Sequence, residues 1–180
     1  MLDENANLVA VGGQEEVINS SGQIVAVKNF PVNPENCYNL FMNFIPIQPP
    51  LLMTRAKIMK SLKYDTGISR DDDIDMLFKL LKYGQFSNVE ETIFQYRVRN
   101  DSSTHSDSKK VFFMALKIRI RAILKQGYRP NFLALLVAFI ELGVISILPS
   151  KLIVGLFEIL RYSQVRSLNL FKKIQLAIQS

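Results

Sequence analysis

The sequence contains very little cysteine: Cys37 is the only one among its 180 residues. No disulfide can therefore form within the chain, and the protein is predicted to belong to a reducing compartment. No nucleophile partner or metal-ligand cluster accompanies Cys37, so its side chain is predicted to be a small buried thiol. Apolar residues make up 48% of the chain and charged residues 21%, which is a globular composition and excludes a disordered chain.

The first residues of the sequence also lack the pattern of a secretory leader. The first five residues, Met1-Leu2-Asp3-Glu4-Asn5, are acidic and polar, whereas a signal peptide opens with basic residues and continues with an apolar run. We therefore expect that the chain carries no signal peptide.

Acidic residues are scarce in the C-terminal part of the chain. Residues 109–180 contain 12 Lys and Arg but only 2 Asp and Glu, whereas residues 1–108 contain 10 and 14. The net charge of +6 thus combines −4 with +10, and a basic segment of this kind predicts an anionic membrane surface or nucleic acid as partner. No zinc-ligand spacing or aromatic–glycine strand motif supports nucleic acid, so the apolar content of the segment favours the membrane surface.

Strand and helix patterns alternate over the first hundred residues. The predicted strands cover residues 8–11, 16–19, 24–27, 51–53, 86–89 and 92–98, and the predicted helices cover residues 33–44, residues 56–62 and the stretch from an acidic cluster to Lys82. Asn33 caps the first helix, and Gly22 forms a hairpin turn. Gly12 ends the first strand, and Gly84 ends the third helix. The polar segment 100–110 is a predicted domain boundary, beyond which every pattern is helical and basic.

The acidic cluster consists of Asp71, Asp72, Asp73 and Asp75. Capping of the following helix explains one or two of these carboxylates, but four close carboxylates repel and raise one another's pKa, which indicates a site. One interpretation is a general base that deprotonates a hydroxyl. The other is a metal-binding pair, Asp71 with Asp73 or Asp73 with Asp75. Because a metal-binding pair usually ends a buried strand, whereas this cluster opens an amphipathic helix, the base is favoured.

The motifs around this cluster resemble those of family 2 glycosyltransferases of the GT-A type. In that family the region reads YDE-x-F, then ED-x-DLWLRL-x-x-x-G, then an apolar strand and Y-R-x-H-x-x-S. The corresponding residues here are Tyr64-Asp65-Thr66-Gly67-Ile68, then Asp72-Asp73-Ile74-Asp75-Met76-Leu77-Phe78-Lys79-Leu80 with Gly84, then Tyr96-Arg97-Val98-Arg99. Upstream, Asn43-Phe44-Ile45-Pro46-Ile47-Gln48-Pro49-Pro50 and Arg55 are similar to the family's N-x-I-x-Q/H-P-S stretch and the Arg after it.

The resemblance implies an α/β fold for residues 1–105, namely the acceptor-side half of a GT-A domain without its N-terminal nucleotide-binding half. Residues 106–180 would follow as an all-α, basic tail. It also implies inverting transfer of a sugar from a nucleotide sugar to a glycan or lipid-linked acceptor, in envelope or polysaccharide synthesis. Manganese or magnesium is expected for the complete family domain, but the metal-binding motif belongs to the missing half, so this chain provides no assigned ligand. The chain would then be a fragment, a truncated reading frame, or a remnant that pairs with a companion chain carrying that half, and it is expected to be inactive alone.

The resemblance assigns roles to particular side chains. Asp73 matches the catalytic base, with Asp72 and Asp75 tuning its basicity. Gln48 and Arg55 match the stretch that lines the acceptor side, and Arg97 and Arg99 belong to the acceptor or phosphate side. Arg99 replaces a His that helps some relatives to hold the metal or the diphosphate; an Arg cannot ligate a metal, but it can pair with phosphate oxygens.

The tail is basic and apolar, with an amphipathic stretch at 111–126 and an apolar run at 132–148. That run is slightly shorter than the ~20 residues that span a bilayer. Three interpretations remain open: a helical hairpin buried on the domain, helices lying in a membrane surface, and a span, which Glu141 would make costly. The surface is favoured, and the turn Leu148-Pro149-Ser150-Lys151 resembles one in the family, which implies attachment to the cytoplasmic face of the cell membrane.

A second functional hypothesis belongs to a different class. The chain would then be a non-catalytic, membrane-peripheral interaction module that keeps a remnant of the same fold without its chemistry. The tail would act as in the first hypothesis, but the acidic cluster would only cap a helix.

Overall fold

The computed structural model describes residues 1–64, 72–98 and 108–149 of the chain. The strands are β1 (Leu8–Ile18), β2 (Ile24–Lys28), β3 (Met53–Thr54) and β4 (Gln85–Arg97). The helices are α1 (Pro34–Leu40), α2 (Ala56–Ser61), α3 (Asp72–Leu80), α4 (Ser108–Gln126) and α5 (Phe132–Ile147), with a short 3-10 turn at Pro49–Leu51. The predicted α/β class is confirmed, with the strands in the N-terminal part and helices α4 and α5 after it.

β1 is the central strand of a mixed four-stranded sheet. Along one edge it pairs in parallel with β4. Along its other edge the first half of β1 pairs antiparallel with β3, and the second half pairs antiparallel with β2. Because β1 has neighbours on both edges and is buried along nearly its whole length, it organises the sheet.

Two of the predicted strand boundaries were wrong. Residues 8–11 and 16–18 belong to one strand of 11 residues, which continues through Gly12 and Gly13 and ends before Asn19. A Cβ atom on Gly12 would lie 2.6 Å from Asn88 Oδ1, and one on Gly13 would lie 2.7 Å from Ile93 Cδ1. Close approach of the buried Asn88 side chain, rather than a turn, therefore requires glycine at position 12. At position 13 the Ile93 side chain is exposed and can shift. Likewise, residues 86–89 and 92–98 lie almost entirely in a single strand, β4.

The predicted start of α1 is confirmed. The Asn33 side chain accepts hydrogen bonds from the backbone N–H groups of Glu35 and Asn36, and proline occupies the first helical turn. The helix ends at Leu40 rather than at residue 44, because a turn follows it. The predicted hairpin turn is also confirmed, since Gly22 has a φ of +83°.

Gly84 does not end α3 in the way that was predicted. The helix ends at Leu80 and a turn follows it. Gly84 is required for a different reason: a Cβ atom there would lie 2.5 Å from the backbone oxygen of Asn7. The connection from α3 to β4 thus passes directly against the residue before β1, which leaves no room for a side chain.

Aromatic rings connect the elements at the centre of the core. Phe41 lies 5.2 Å from Phe78 and 5.3 Å from Phe86, measured between ring centroids, and Phe78 lies 5.0 Å from Tyr128. Phe41 directly follows α1, Phe78 lies on α3, Phe86 lies on β4, and Tyr128 lies between α4 and α5. The C-terminal helices are therefore packed onto the N-terminal sheet and helices. The predicted boundary at residue 105 lies outside the described residues.

Helices α4 and α5 form an antiparallel hairpin. On α4, Arg119 is buried and donates hydrogen bonds to the backbone oxygens of Phe41, at 3.0 Å, and Asn43, at 2.9 Å. The two helices meet where Lys109 Nζ lies 3.3 Å from the backbone oxygen of Ser146. Among residues 1–64, 72–98 and 108–149, no helix is both long enough and apolar enough to cross a bilayer.

Candidate functional site

The first turn of α3 presents two carboxylates. Asp72 is half-buried and Asp73 is exposed, and both lie at the helix N-terminus, where backbone N–H groups favour negative charge. Partial burial, followed by the negative charge of Asp72, raises the pKa of Asp73 above its ordinary value. A carboxylate with a raised pKa is a stronger base than an ordinary aspartate, and its exposure leaves it accessible to a substrate.

Tyr64 lies close enough to these two carboxylates for their charges to act on its phenol. Partial burial, followed by the charges of Asp73 and Asp72, raises the pKa of its phenol. This influence relates the motif that begins at Tyr64 to the motif that begins at Asp72. Residues 65–71, between them, lie outside the described residues. The sequence motif contained Tyr64, but no role was predicted for it. The residue is 46% exposed, so part of its surface is open to solvent.

Asp75 has a different environment from Asp73, although only one residue separates them. It is fully buried; its Oδ1 accepts a hydrogen bond of 2.9 Å from Gln126 Nε2, and its Oδ2 lies 2.8 Å from Lys79 Nζ. Oδ2 accepts no aligned hydrogen bond beyond this ion pair among the described residues. Asp75 therefore joins α3 to α4. It was predicted to tune Asp73, but it faces the core.

The geometry of α3 does not fit a metal held by Asp73 and Asp75. Residues two apart on a helix point to nearly opposite sides, and one of these carboxylates is exposed while the other is buried. Asp71, the remaining member of the alternative pair, lies outside the described residues. In the described part of the chain, no three His, Cys, Asp or Glu side chains form a group that could hold a metal ion. No chemical step at this site is therefore assigned to a metal.

Two predicted acceptor-side arginines bind backbone oxygens. Arg55 donates to the backbone oxygen of Leu8 at 3.1 Å, and it also donates to those of Leu2 and Asn5. Arg97 donates to the backbone oxygens of two residues in the β1–β2 turn, Asn19 and Ser20, at 2.9 and 3.1 Å. These contacts hold the N-terminal segment and the turn in place, which is a structural role for both guanidinium groups.

The structure gives no site contact for the two remaining predicted residues, Gln48 and Arg99. Gln48 is half-buried and precedes the 3-10 turn, where its backbone oxygen accepts a hydrogen bond of 2.9 Å from Leu51 N. Arg99 lies outside the described residues. The site that the structure assembles is therefore Tyr64, Asp72 and Asp73.

A buried polar cluster on β4 was missed by the sequence analysis. Asn88 Nδ2 donates to the backbone oxygens of Pro31, at 2.7 Å, and Pro46, at 2.9 Å. The predicted buried thiol is confirmed: Cys37 is fully buried, and burial raises its pKa to about 12, so the thiol stays neutral. These contacts secure the loops on either side of α1. They are structural, because the Cys37 thiol is neutral and fully buried and Asn88 is uncharged.

No protein-family model matches the chain, and no curated protein matches its sequence. The geometry of the site and the resemblance of its motifs are therefore the evidence that bears on the function.

Proposed function

We propose that the chain supplies the acceptor-side base of an inverting glycosyl transfer. The observation that carries the proposal is the accessible carboxylate of Asp73 in the first turn of α3, beside Asp72 and Tyr64. In this reaction the acceptor hydroxyl gives its proton to Asp73 while its oxygen attacks the anomeric carbon of the donor sugar. The bond from that carbon to the nucleoside diphosphate breaks, and the configuration inverts because attack occurs from the opposite side.

The neighbours of Asp73 supply what an acceptor sugar needs. Asp72 can accept hydrogen bonds from sugar hydroxyls, and the exposed ring of Tyr64 can pack on the apolar face of a pyranose. The raised pKa of Asp73 improves its basicity, while the helix N-terminus limits that rise by stabilising the carboxylate. Asp75 contributes indirectly, because it anchors α3 and thereby fixes the direction of the first turn.

The finer fold assignment belongs to the same proposal. Residues 1–105 would form the acceptor-side half of a GT-A fold, and the order of β1, α3 and β4 supports this. The donor would be a nucleotide sugar, the acceptor a glycan or lipid-linked sugar, and the location the cytoplasmic face of the cell membrane. The manganese or magnesium of a complete family domain has no matching ligands among the described residues, so the proposal assigns this chain only proton transfer and acceptor binding.

The test uses membranes from the cells that produce the chain, because these contain any other subunit that the transfer needs. The gene is deleted and then restored as wild type, Asp73→Asn or Asp72→Asn, and incorporation of labelled sugar from a panel of nucleotide sugars is measured. Removing a general base is expected to lower transfer by about 10²–10⁴-fold, so Asp73→Asn should fail to restore incorporation. Asp72→Asn should retain partial activity. Immunoblots confirm equal amounts of each variant.

The pH dependence adds a second readout. The base acts only when it is deprotonated, so wild-type incorporation should fall as the pH drops through the raised pKa of Asp73. Full incorporation with Asp73→Asn, or no difference between deleted and restored membranes, would overturn the proposal. The apolar helix α5 would then favour the second hypothesis, a non-catalytic membrane-peripheral module.

A further inference from the structure

Helix α5 presents an unusually apolar surface. The α5 apolar surface is defined here by six side chains whose exposed fractions run from 43% to 83% within the described residues: Phe132, Leu133, Leu136, Phe139, Ile140 and Ile147. Large exposed apolar patches are costly in water, so they mark surfaces that another phase or partner covers.

The protein-facing side of α5 is a narrow stripe. Ala134, Ala138 and Ile145 are buried and recur at helical spacing, and Glu141 falls on the same side at the same spacing. Glu141 is half-buried, and burial raises the pKa of its carboxyl, whereas the charge of Arg119 on α4 lowers it. The only charged residue of α5 therefore faces the protein, and the outward side carries none. Glu141 therefore does not have to enter the acyl chains when α5 lies in a membrane surface.

The distribution of exposed residues favours a lipid environment over a single partner helix. A helix packed on another covers a stripe of roughly 100°. The exposed residues of α5 instead flank the protein-facing stripe on both sides: Leu135 and Phe139 lie on one flank, and Leu133 and Val137 on the other. Acyl chains cover such a surface all round. With 16 residues, the helix is about 24 Å long, which is shorter than the roughly 30 Å hydrocarbon core of a bilayer.

Basic residues lie on the helix before α5 and on the connection to it. Lys117 and Lys125 of α4 and Arg129 of the connection are exposed, and Glu141 is the only acidic residue between positions 108 and 149. On α4, Lys117 lies at helical spacing within a stripe of exposed apolar side chains formed by Phe113, Ile120 and Leu124. A long basic side chain in such a stripe can place its ammonium group at the headgroups while its stem contacts lipid.

We propose that α5 lies in the surface of an anionic bilayer, with the α5 apolar surface among the acyl chains and Lys117, Lys125 and Arg129 at the headgroups. The sequence predicted surface helices throughout the tail. Of the two described tail helices, α5 presents the larger apolar surface, because α4 is packed on the core through Ala115, Ile118 and Ala122. This inference is independent of the proposed sugar transfer and holds whether or not Asp73 is a base.

The absence of tryptophan from the sequence permits a direct test with the full chain. Phe139→Trp places a single fluorophore on α5, and Met53→Trp places one at an exposed apolar position of β3 as the matched control. With vesicles of phosphatidylcholine and phosphatidylserine, the Phe139→Trp emission should shift to the blue and be quenched by brominated acyl chains. The Met53→Trp emission should do neither.

Flotation measures the affinity itself. Replacing Leu136 by Asp should weaken vesicle binding by about tenfold or more, since a large apolar side chain is lost from lipid and a charge must enter it. Ile24→Asp, at an exposed apolar position of β2, should leave binding unchanged. Replacing Lys117 and Arg129 by Gln should remove the preference for anionic vesicles, and high salt should have the same effect. Circular dichroism verifies that each variant is folded.

Several outcomes would overturn the inference. If the wild-type chain is monomeric and does not bind vesicles, another part of the chain covers α5. A stable dimer that Leu136→Asp dissociates, without vesicle binding, would make α5 a protein interface. Equal quenching of tryptophan at positions 139 and 53 would show non-specific adsorption.

Discussion

Helices α3 and α5 place their apolar residues in opposite environments. Four of the nine residues in α3 are charged, yet its apolar side chains fill the core: Ile74, Met76, Leu77, Phe78 and Leu80. One of the 16 residues in α5 is charged, yet its buried residues are only Ala134, Ala138 and Ile145. The more apolar helix is therefore the more exposed one among the described residues.

The comparison teaches that the arrangement of apolar residues, rather than their number, determines what a helix contributes. In α3 nearly every residue after the first turn is buried, whereas Asp73 stays accessible because it lies at the N-terminal end of the helix. In α5 the contact stripe is built mainly from alanine, so the large side chains remain on the outside. We infer that α3 contributes stability and the candidate base, whereas α5 contributes an attachment surface.

The largest expected effect contrasts two phenylalanines. Replacing Phe78 by Ala removes the ring between Phe41 and Tyr128, so we expect the free energy of unfolding to fall by about 3–5 kcal/mol. Replacing Phe139, which is exposed on α5, by Ala should change the free energy of unfolding by less than about 0.5 kcal/mol. Urea unfolding followed by far-UV circular dichroism, in the absence of vesicles, measures both. A comparable loss in the two variants would contradict the contrast between the helices.

A smaller effect on the free energy of unfolding is expected when two aspartates of α3, Asp75 and Asp73, are compared. Asp75→Asn weakens the buried ion pair with Lys79 and should lower the free energy of unfolding by about 1–3 kcal/mol, since Lys79 retains partial access to water. Asp73→Asn should change stability by at most about 1 kcal/mol, because this residue is exposed. The same urea experiment checks both. If Asp73→Asn proved the more destabilising change, its loss of transfer could no longer be attributed to a base.

Local signals predicted much of the fold. The cap at Asn33, the turn at Gly22 and the period of α3 depend on residues that are close in sequence, and the structure confirms each. The roles of Gly12 and Gly84 depend instead on atoms of Asn88 and Asn7, which are more than seventy residues away in the chain. A sequence read alone cannot show such close approaches, and glycine was therefore interpreted as a strand or helix end.

The candidate site was predictable to a similar extent. The different environments of Asp73 and Asp75 do not follow from the helical period, because Leu77 and Leu80 lie on the same side of α3 as Asp73 and are buried. Asp73 is accessible because it lies in the first turn of the helix, which the sequence pattern of one acidic cluster did not indicate. The targets of Arg55 and Arg97 could not be predicted, because they are backbone oxygens at a distance in the chain. Tyr64 stood in the motif, and only its proximity to Asp73 gave it a role.

The smallest effect contrasts two glycines and reverses sign between them. Gly84→Ala, after α3, would press a methyl group against the backbone oxygen of Asn7, which cannot move independently. We expect a loss of about 1–3 kcal/mol in the free energy of unfolding. Gly143→Ala, inside α5, meets no atom within 4 Å; alanine favours a helix over glycine, so a gain of roughly 0.5–1 kcal/mol is expected.

Thermal and urea unfolding of the two glycine variants measure this difference. The sign at position 143 is informative because it depends on open space around α5. A loss of stability there would mean that a neighbour covers this side of the helix in the absence of lipid. That result would leave the role of α3 unchanged, but it would remove the exposed helix on which bilayer attachment depends.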